Sequence, residues 1–181
     1  MARLIRLAVA DDAAAIAAIY RPYVEDSWIS LEEQAPDAVE MARRLSGPLH
    51  PWLVVEEDGA IAGYASTSPM RPRAGYRWSV ETGVYVAQAM HGQGLGRALL
   101  ETHLALLERQ GFVTAIAGIS LPNDASVALH ETLGFALSGI ERGVGFKHSQ
   151  WIDVGRWQRD LASRGSSARE PRPFASVGPP E

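Results

Sequence analysis

Residues 91–96, HGQGLG, place three glycines at alternate positions, Gly92, Gly94 and Gly96, and run at once into the apolar stretch LGRALL. Glycine suits left-handed backbone and close approach by another group, and inside a helix it costs roughly 0.5–1 kcal/mol relative to alanine. A cluster at this point therefore signals that bare backbone is wanted. A strand-like segment precedes the glycines and a helix-like segment follows. That order leaves N–H groups free at a helix start, where the helix dipole adds partial positive charge. Successive free N–H groups can also form a concave nest around an anion. The chemistry on offer is recognition of a phosphate-like group by main chain. Two familiar loops do not fit. A Walker loop ends in Gly-Lys-Ser/Thr, and none is present here. The dinucleotide fingerprint GxGxxG fails because Arg97 stands where the third glycine belongs, and that motif normally opens the first βα unit of a domain. Taken alone, the six residues also fit a glycine-rich turn with no ligand.

The elements that must position this loop are legible in outline. RLIRLAV (3–9) predicts a first strand, and Asp11 or Asp12 can cap a helix through AAAIAAIYRPYV. PDAVEMARRL (36–45) predicts a second, short helix. In WLVVEEDGAIAGYAST (52–67), two β-type runs flank Asp58-Gly59, the dipeptide of a tight hairpin. RWSVETGVYV (77–86) is rich in β-branched and aromatic residues and predicts the strand ahead of the glycines. The helix behind them runs to about Gln110, with Leu95, Leu99 and Leu106 at helical spacing and Gly111 as C-cap. FVTAIAGIS (112–120) predicts a buried strand, and NDASVALHETLGF a short helix capped by Asn123 or Asp124 and stopped by Gly134. Stretches 135–146 and 150–158 predict closing strands. The expected fold class is α/β (α+β): a mixed, largely antiparallel central sheet with helices on both faces.

Composition bounds the function. The 181 residues suit one domain, placed at 1–161, with a flexible C-terminal tail at 162–181 where Pro, Ser, Gly and Arg replace the apolar residues. A net charge of −4 argues against nucleic acid as a partner, since phosphate backbones demand a positive excess. The absence of cysteine excludes disulfides, thiolate nucleophiles and zinc-thiolate sites. His91, His103 and His148 have no convincing metal partners in the sequence, so no metal is expected. No apolar run reaches the ~18 residues of a membrane span, and Asp11 and Asp12 interrupt the N-terminal segment before it could form a signal peptide. A cytoplasmic protein with no membrane partner is the expectation.

HGQGLG, with Gly94 and Gly96, resembles the pyrophosphate loop (Gln/Arg)-x-x-Gly-x-(Gly/Ala) of the GNAT N-acetyltransferases, His91 standing where that family has Gln or Arg. About 30 residues later the family has an Asn followed by a helix ending in a pair such as Gly-Phe. Asn123, Gly134 and Phe135 supply these. The family often has tyrosine seven positions after that Asn, near two helical turns and so on the same face; this chain has His130. A longer match carries further. PWLVVEEDGAIAGYA, YRWSVETGVYV, GFVTAIAGISLPNDASVALHETLGF and GFKHSQWIDVGRWQRDL resemble the phosphinothricin N-acetyltransferases from about residue 3 to 161. The resemblance implies an acetyl-CoA-dependent enzyme acetylating the α-amino group of a small amino acid such as phosphinothricin (glufosinate) or methionine sulfoximine. It implies Glu81 and His130 as catalytic residues and Arg71, Arg73 and Tyr76 as substrate contacts. It implies Val84, Tyr85, Val86, Gly92, Gln93, Gly94, Leu95, Gly96, Arg97 and Asn123 as acetyl-CoA contacts, and a homodimer. One departure concerns the substrate: in EDSWISLEEQ an aromatic is expected near position 31, and the chain has Leu31.

The implied reaction sets requirements. An amine attacks a thioester only when neutral, so an amino acid's protonated α-amine needs a base, worth roughly 10²–10⁴ in rate. Glu81 could take the proton, directly or through water, and His130 could share that role or protonate the leaving thiolate. A backbone N–H of 84–86 could polarise the thioester carbonyl. Arg71 and Arg73 offer guanidinium forks for a carboxylate or phosphinate. Trp151 and Trp157 fit closing-strand packing or a dimer face. Two alternatives remain at this stage: an acetyltransferase for another amine (a peptide N-terminus or a polyamine, which the acidic stretch 25–33 would suit), and a non-catalytic acetyl-CoA-binding module.

Overall fold

The computed structural model describes residues 3–165 and 169–180. In chain order the elements are β1 (Arg3–Leu7), α1 (Ala13–Glu25), α2 (Ala38–Leu45), β2 (Leu53–Glu57), β3 (Ala60–Pro69), β4 (Ser79–Val86), α3 (Leu95–Gln110), β5 (Thr114–Leu121), α4 (Asp124–Thr132), β6 (Ala136–Lys147) and β7 (Gln150–Asp160). Type and order agree with the sequence reading; the boundaries move by a few residues, for identifiable reasons. β1 stops at Leu7 because the chain turns there. Asp12 accepts the Val9 N–H (2.8 Å) and a two-pronged bond from Arg6 (2.7 and 2.8 Å), fixing the entry to α1. The Asp37 side chain caps α2 by accepting the Glu40 N–H at 2.9 Å. Asn123 caps α4 through the Ser126 N–H. Asp58 and Gly59 both take positive φ, 50° and 85°, as the tight hairpin between β2 and β3 requires.

The seven strands form one sheet in the order β1-β2-β3-β4-β5-β7-β6. Every neighbouring pair is antiparallel except β4 with β5, which is parallel and short: Ser79↔Thr114, Val80↔Ala115 and Glu81↔Ile116. Past Glu81 the two strands part. β4 stays paired with β3 out to Gly63↔Val86, and β5 stays paired with β7 out to Leu121↔Asp153. A fork opens in mid-sheet, bounded by main chain that neither strand satisfies for the other. Thr82 Oγ1 donates to Ile116 O (3.4 Å) at its base.

Strand alternation assigns the core. Val54 and Tyr64 pack with Ile16, Tyr20 and Val24 of α1 and Met41 of α2. Leu53, Val55 and Ala65 point the other way, onto Leu95, Leu99 and Leu106 of α3. Leu100, Leu104 and Leu107 continue that face onto Phe112, Ala115, Phe135 and Trp157. Leu99 is fully buried, and truncating such a leucine to alanine costs about 2–5 kcal/mol.

The segment expected to be a tail lies partly outside the described residues. Within 169–180 it runs against the domain: Arg77 forms a two-pronged pair with Glu170, the Trp78 indole donates to Arg169 O (2.8 Å), and the buried Gln110 amide donates to Leu49 O and Arg172 O. Composition did not signal this because the contacts are mostly main-chain and polar. No helix among the described residues is long and apolar enough to cross a membrane.

Candidate active site

Two cavities open into the fork. The smaller, about 550 Å³, is lined by Val84, Tyr85 and Val86 on one prong, by Ala117 to Ser120 on the other, and by Gly92, Gly94, Leu95, Gly96, Arg97, Asn123 and His130. Gly92 and Gly94 have φ of 75° and 77°, and a Cβ on either would meet nothing in the protein. Their requirement is therefore conformational, and the bare backbone faces open space. The first intrahelical bond of α3 runs from Ala98 N–H to Gly94 O, so the N–H groups of Leu95, Gly96 and Arg97 precede the helical ladder and remain available at the positive end of the dipole. Gln93 does not line the cavity; its amide turns back to Met90 Sδ at 3.7 Å. His91 has a structural task. Its Nε2–H donates to Val86 O (3.0 Å) with Tyr23 Oη 2.8 Å away, while the Tyr23 hydroxyl donates to the same carbonyl at 2.5 Å. The loop is thus clamped to the tip of β4 and to α1.

His130 is 3% exposed and packs edge-on to Phe135. Its Nδ1–H donates to Ser126 O at 2.8 Å, and since a carbonyl only accepts, the proton lies on Nδ1. Burial lowers its pKa from the ordinary 6.5, so at neutral pH the ring is uncharged and Nε2 carries a lone pair. Nε2 is buried and has no hydrogen-bond partner. A neutral, oriented imidazole with a free lone pair in a cavity wall is a group prepared to accept a proton.

The larger cavity, about 1060 Å³, lies on the other side of the fork. Glu81, at the last paired position, accepts from Arg156 Nη1 at 2.9 Å, and Arg71 Nη1 stands 3.8 Å away. Arg156 also donates from Nε to Glu141 at 3.2 Å. It reaches Glu81 by lying across Gly118 of the intervening strand, where a Cβ would sit 2.8 Å from Nη1. Gly118 is therefore what lets an arginine of β7 address β4. Elsewhere the wall is aromatic, with Trp52 stacked on Tyr64 (5.5 Å, 4°) and Tyr64 on Tyr85 (5.3 Å, 24°). Burial holds these phenols protonated, Tyr20 being pushed up to about 12, so they serve as walls and donors. Glu32 pairs with Arg44 through two bonds of 2.7 and 2.9 Å, which holds its carboxyl below the usual range.

Of the residues expected here from sequence, the structure brings Arg71 to Glu81. None of Arg71, Arg73 and Tyr76 is itself in the cavity lining: Arg73 precedes and Tyr76 ends an exposed 3-10 turn, Ala74–Tyr76, and the next residue, Arg77, pairs with Glu170. Glu81 and His130 line different cavities and share no hydrogen bond. The two spaces adjoin along Thr82, Gly83, Tyr85, Gly118 and Ser120, which line both. Sequence reasoning missed Arg156, Arg44, Glu32 and Tyr20. The available cue for Arg156 was a charge in mid-strand whose partner had to come from another strand. Among the described residues no group of three or more acidic or histidine side chains could hold a metal.

The model of the acetyltransferase (GNAT) domain matches residues 5–155. The phosphinothricin N-acetyltransferase of Streptomyces viridochromogenes is 43% identical over 160 residues, 87% of each chain. The L-methionine sulfoximine/L-methionine sulfone acetyltransferase of Salmonella typhimurium is 38% identical over 162 residues, covering 87% of this chain and 94% of its own. The crystal structure of a GNAT-superfamily phosphinothricin acetyltransferase from Sinorhizobium meliloti, in complex with acetyl-CoA, superposes with a TM-score of 0.87 at 35% identity, over 96% of this chain and 99% of that one. With identity at this level along nearly the whole domain, on one fold, the chain belongs to the GNAT acetyltransferases, in their phosphinothricin N-acetyltransferase family.

Proposed function

We propose that this protein transfers the acetyl group of acetyl-CoA to the α-amino group of a small amino acid of the phosphinothricin or methionine sulfoximine type. The observation that carries this reading is the junction of the two cavities in the fork: a backbone-lined space fit for the pantetheine and pyrophosphate meets a charged space fit for an amino acid, along Thr82, Gly83, Gly118 and Ser120. In this reading the free N–H groups at the start of α3 take the pyrophosphate, and the open main chain of 84–86 polarises the thioester carbonyl. Arg156, with Arg71 beside it, receives the substrate's anionic groups. Glu81 takes the first proton of the ammonium through water. The neutral nitrogen then attacks the carbonyl carbon, the C–S bond breaks, and His130 Nε2 passes the second amine proton to the departing thiolate. Much of the acceleration comes from holding amine and thioester together in the fork. The protein acts in the cytoplasm as a homodimer; the support for the dimer is the edge strand β6 with its β7 neighbour, where Leu137, Val144, Phe146 and Trp151 are exposed.

A polyamine or peptide N-terminus is disfavoured by charge balance. Glu32, Glu81 and Glu141 in the larger cavity are each already paired with Arg44 or Arg156. Thiol release from acetyl-CoA with a panel of amino acids, polyamines and short peptides tests the assignment. We expect the highest kcat/KM with phosphinothricin or methionine sulfoximine. Preference for a polyamine or peptide would replace the substrate class, and tight acetyl-CoA binding with no turnover of any amine would make the protein a binding module.

A further inference from the structure

Lys147, at the end of β6, is 8% exposed, and among the described residues no carboxylate forms an ion pair with it, although the charges of Glu32 and Glu33 act on it from a distance. Its ammonium donates to three backbone carbonyls, those of Val24 in the last turn of α1, Ser30 (2.7 Å) and Glu32 (2.8 Å). Three N–H donors meet three acceptors, so the group is fully satisfied. Two residues earlier, Gly145 lies under Leu31 so closely that a Cβ would come within 2.6 Å of Leu31 Cδ1. Leu31 lines the larger cavity. The loop carrying these carbonyls belongs to the α1 side of the fork, where Ser30 also bonds the Tyr20 hydroxyl at 2.6 Å. β6 belongs to the other side. Because β4 and β5 pair through only three residues, the lysine and the Leu31–Gly145 contact join the two halves of the sheet across the mouth of the amine cavity.

We propose that Lys147 is a positioning residue for the amine substrate: by gathering the carbonyls of Val24, Ser30 and Glu32 it fixes the loop that roofs the larger cavity, and with Gly145 it sets Leu31 as the wall against the substrate's side chain. The inference rests on the acetyl-transfer reading of the fork. It predicts a split between substrates, because the smaller cavity is lined mainly by β4, β5, α3, α4 and the glycine loop, and the latch loop reaches it through Ile29 alone, whereas it gives the larger cavity Ile29, Ser30, Leu31 and Glu32.

Steady-state kinetics of Lys147→Met separate the two. Methionine keeps the unbranched stem and removes the donors, and the amine KM should rise by about tenfold or more while the acetyl-CoA KM stays within about twofold. An unchanged amine KM in a folded Lys147→Met variant overturns the proposal, as does an equal rise in both constants. Should that variant not fold, Gly145→Ala decides. It leaves the lysine in place and displaces only the end of Leu31, and the order of preference among amino acids of different side-chain size should change with acetyl-CoA KM unmoved. An unaltered order overturns the proposal. Wild-type protein that turns over no amine removes this inference together with the proposed function, whereas active wild type with silent variants removes this inference alone.

Discussion

The two cavities of the fork are made of different materials. On the side we assign to the coenzyme the working parts are main chain: glycines in left-handed conformation, the first N–H groups of α3 and the unpaired edge of β4, with His130 among the polar side chains in the wall. On the amine side the working parts are side chains drawn from β3, β4, β6, β7, α2 and the loop after α1, held by a chain of ion pairs running from Arg71 through Glu81 and Arg156 to Glu141. Backbone recognition tolerates sequence change wherever the φ angles survive. Side-chain recognition can be retuned one residue at a time. One half of the site is thus suited to a fixed co-substrate, the other to a variable one.

Substitutions should respect that division. The largest effect is expected at His130, in the wall of the smaller cavity. His130→Ala should lower kcat by about 10²-fold or more with little change in either KM. In the wild type, kcat/KM should hold level at neutral pH and fall only as the pH drops below 6.5, because burial lowers the pKa of His130 and the base works unprotonated. A wild-type profile that breaks well above pH 7 would contradict this assignment. Next, Arg156→Ala leaves Glu81 and Glu141 without their partner and should raise the amine KM by about tenfold or more, sparing acetyl-CoA; a matching rise for acetyl-CoA would erase the contrast between the cavities. Gly94→Ala places a side chain at φ of 77°, a conformation costing about 1 kcal/mol or more, and should raise the acetyl-CoA KM about five- to tenfold with the amine KM steady.

The fourth test concerns the scaffold beneath both cavities. His103 is fully buried, its Nε2–H donating to Pro51 O (3.1 Å) with Thr67 Oγ1 at 2.6 Å, and burial lowers its pKa from 6.5 to about 4. A depressed folded pKa means that the stabilising effect is complete above 6.5 and is lost as the pH falls toward 4. Urea midpoints should therefore fall between pH 7.5 and 4.5, and His103→Gln should flatten that dependence. The smallest effect is expected at His91→Gln: a clamp worth about 1 kcal/mol should change the acetyl-CoA KM by only about fivefold or less.

The amino-acid order alone specified the elements and the glycine turn that opens α3. Alternation in WLVVEEDGAIAGYAST, helical spacing in LGRALLETHLALLERQ, and the glycines ahead of it are local patterns, and backbone anion recognition is itself local, needing only a turn and a helix start. Nothing local tells how far β4 and β5 stay paired, yet that single register opens the fork. Nor could spacing show that Arg156 crosses Gly118 to meet Glu81, 75 positions away, that Arg73 and Tyr76 lie outside the cavity lining, or that Lys147 gathers carbonyls more than a hundred residues upstream. These contacts join strands that are adjacent in the sheet and remote in the chain. A charged side chain has a definite partner only once folding has removed the water that would otherwise satisfy it. For that reason the glycine turn and helix start were legible from residues 91–96, and the lining of the larger cavity was decided by tertiary structure.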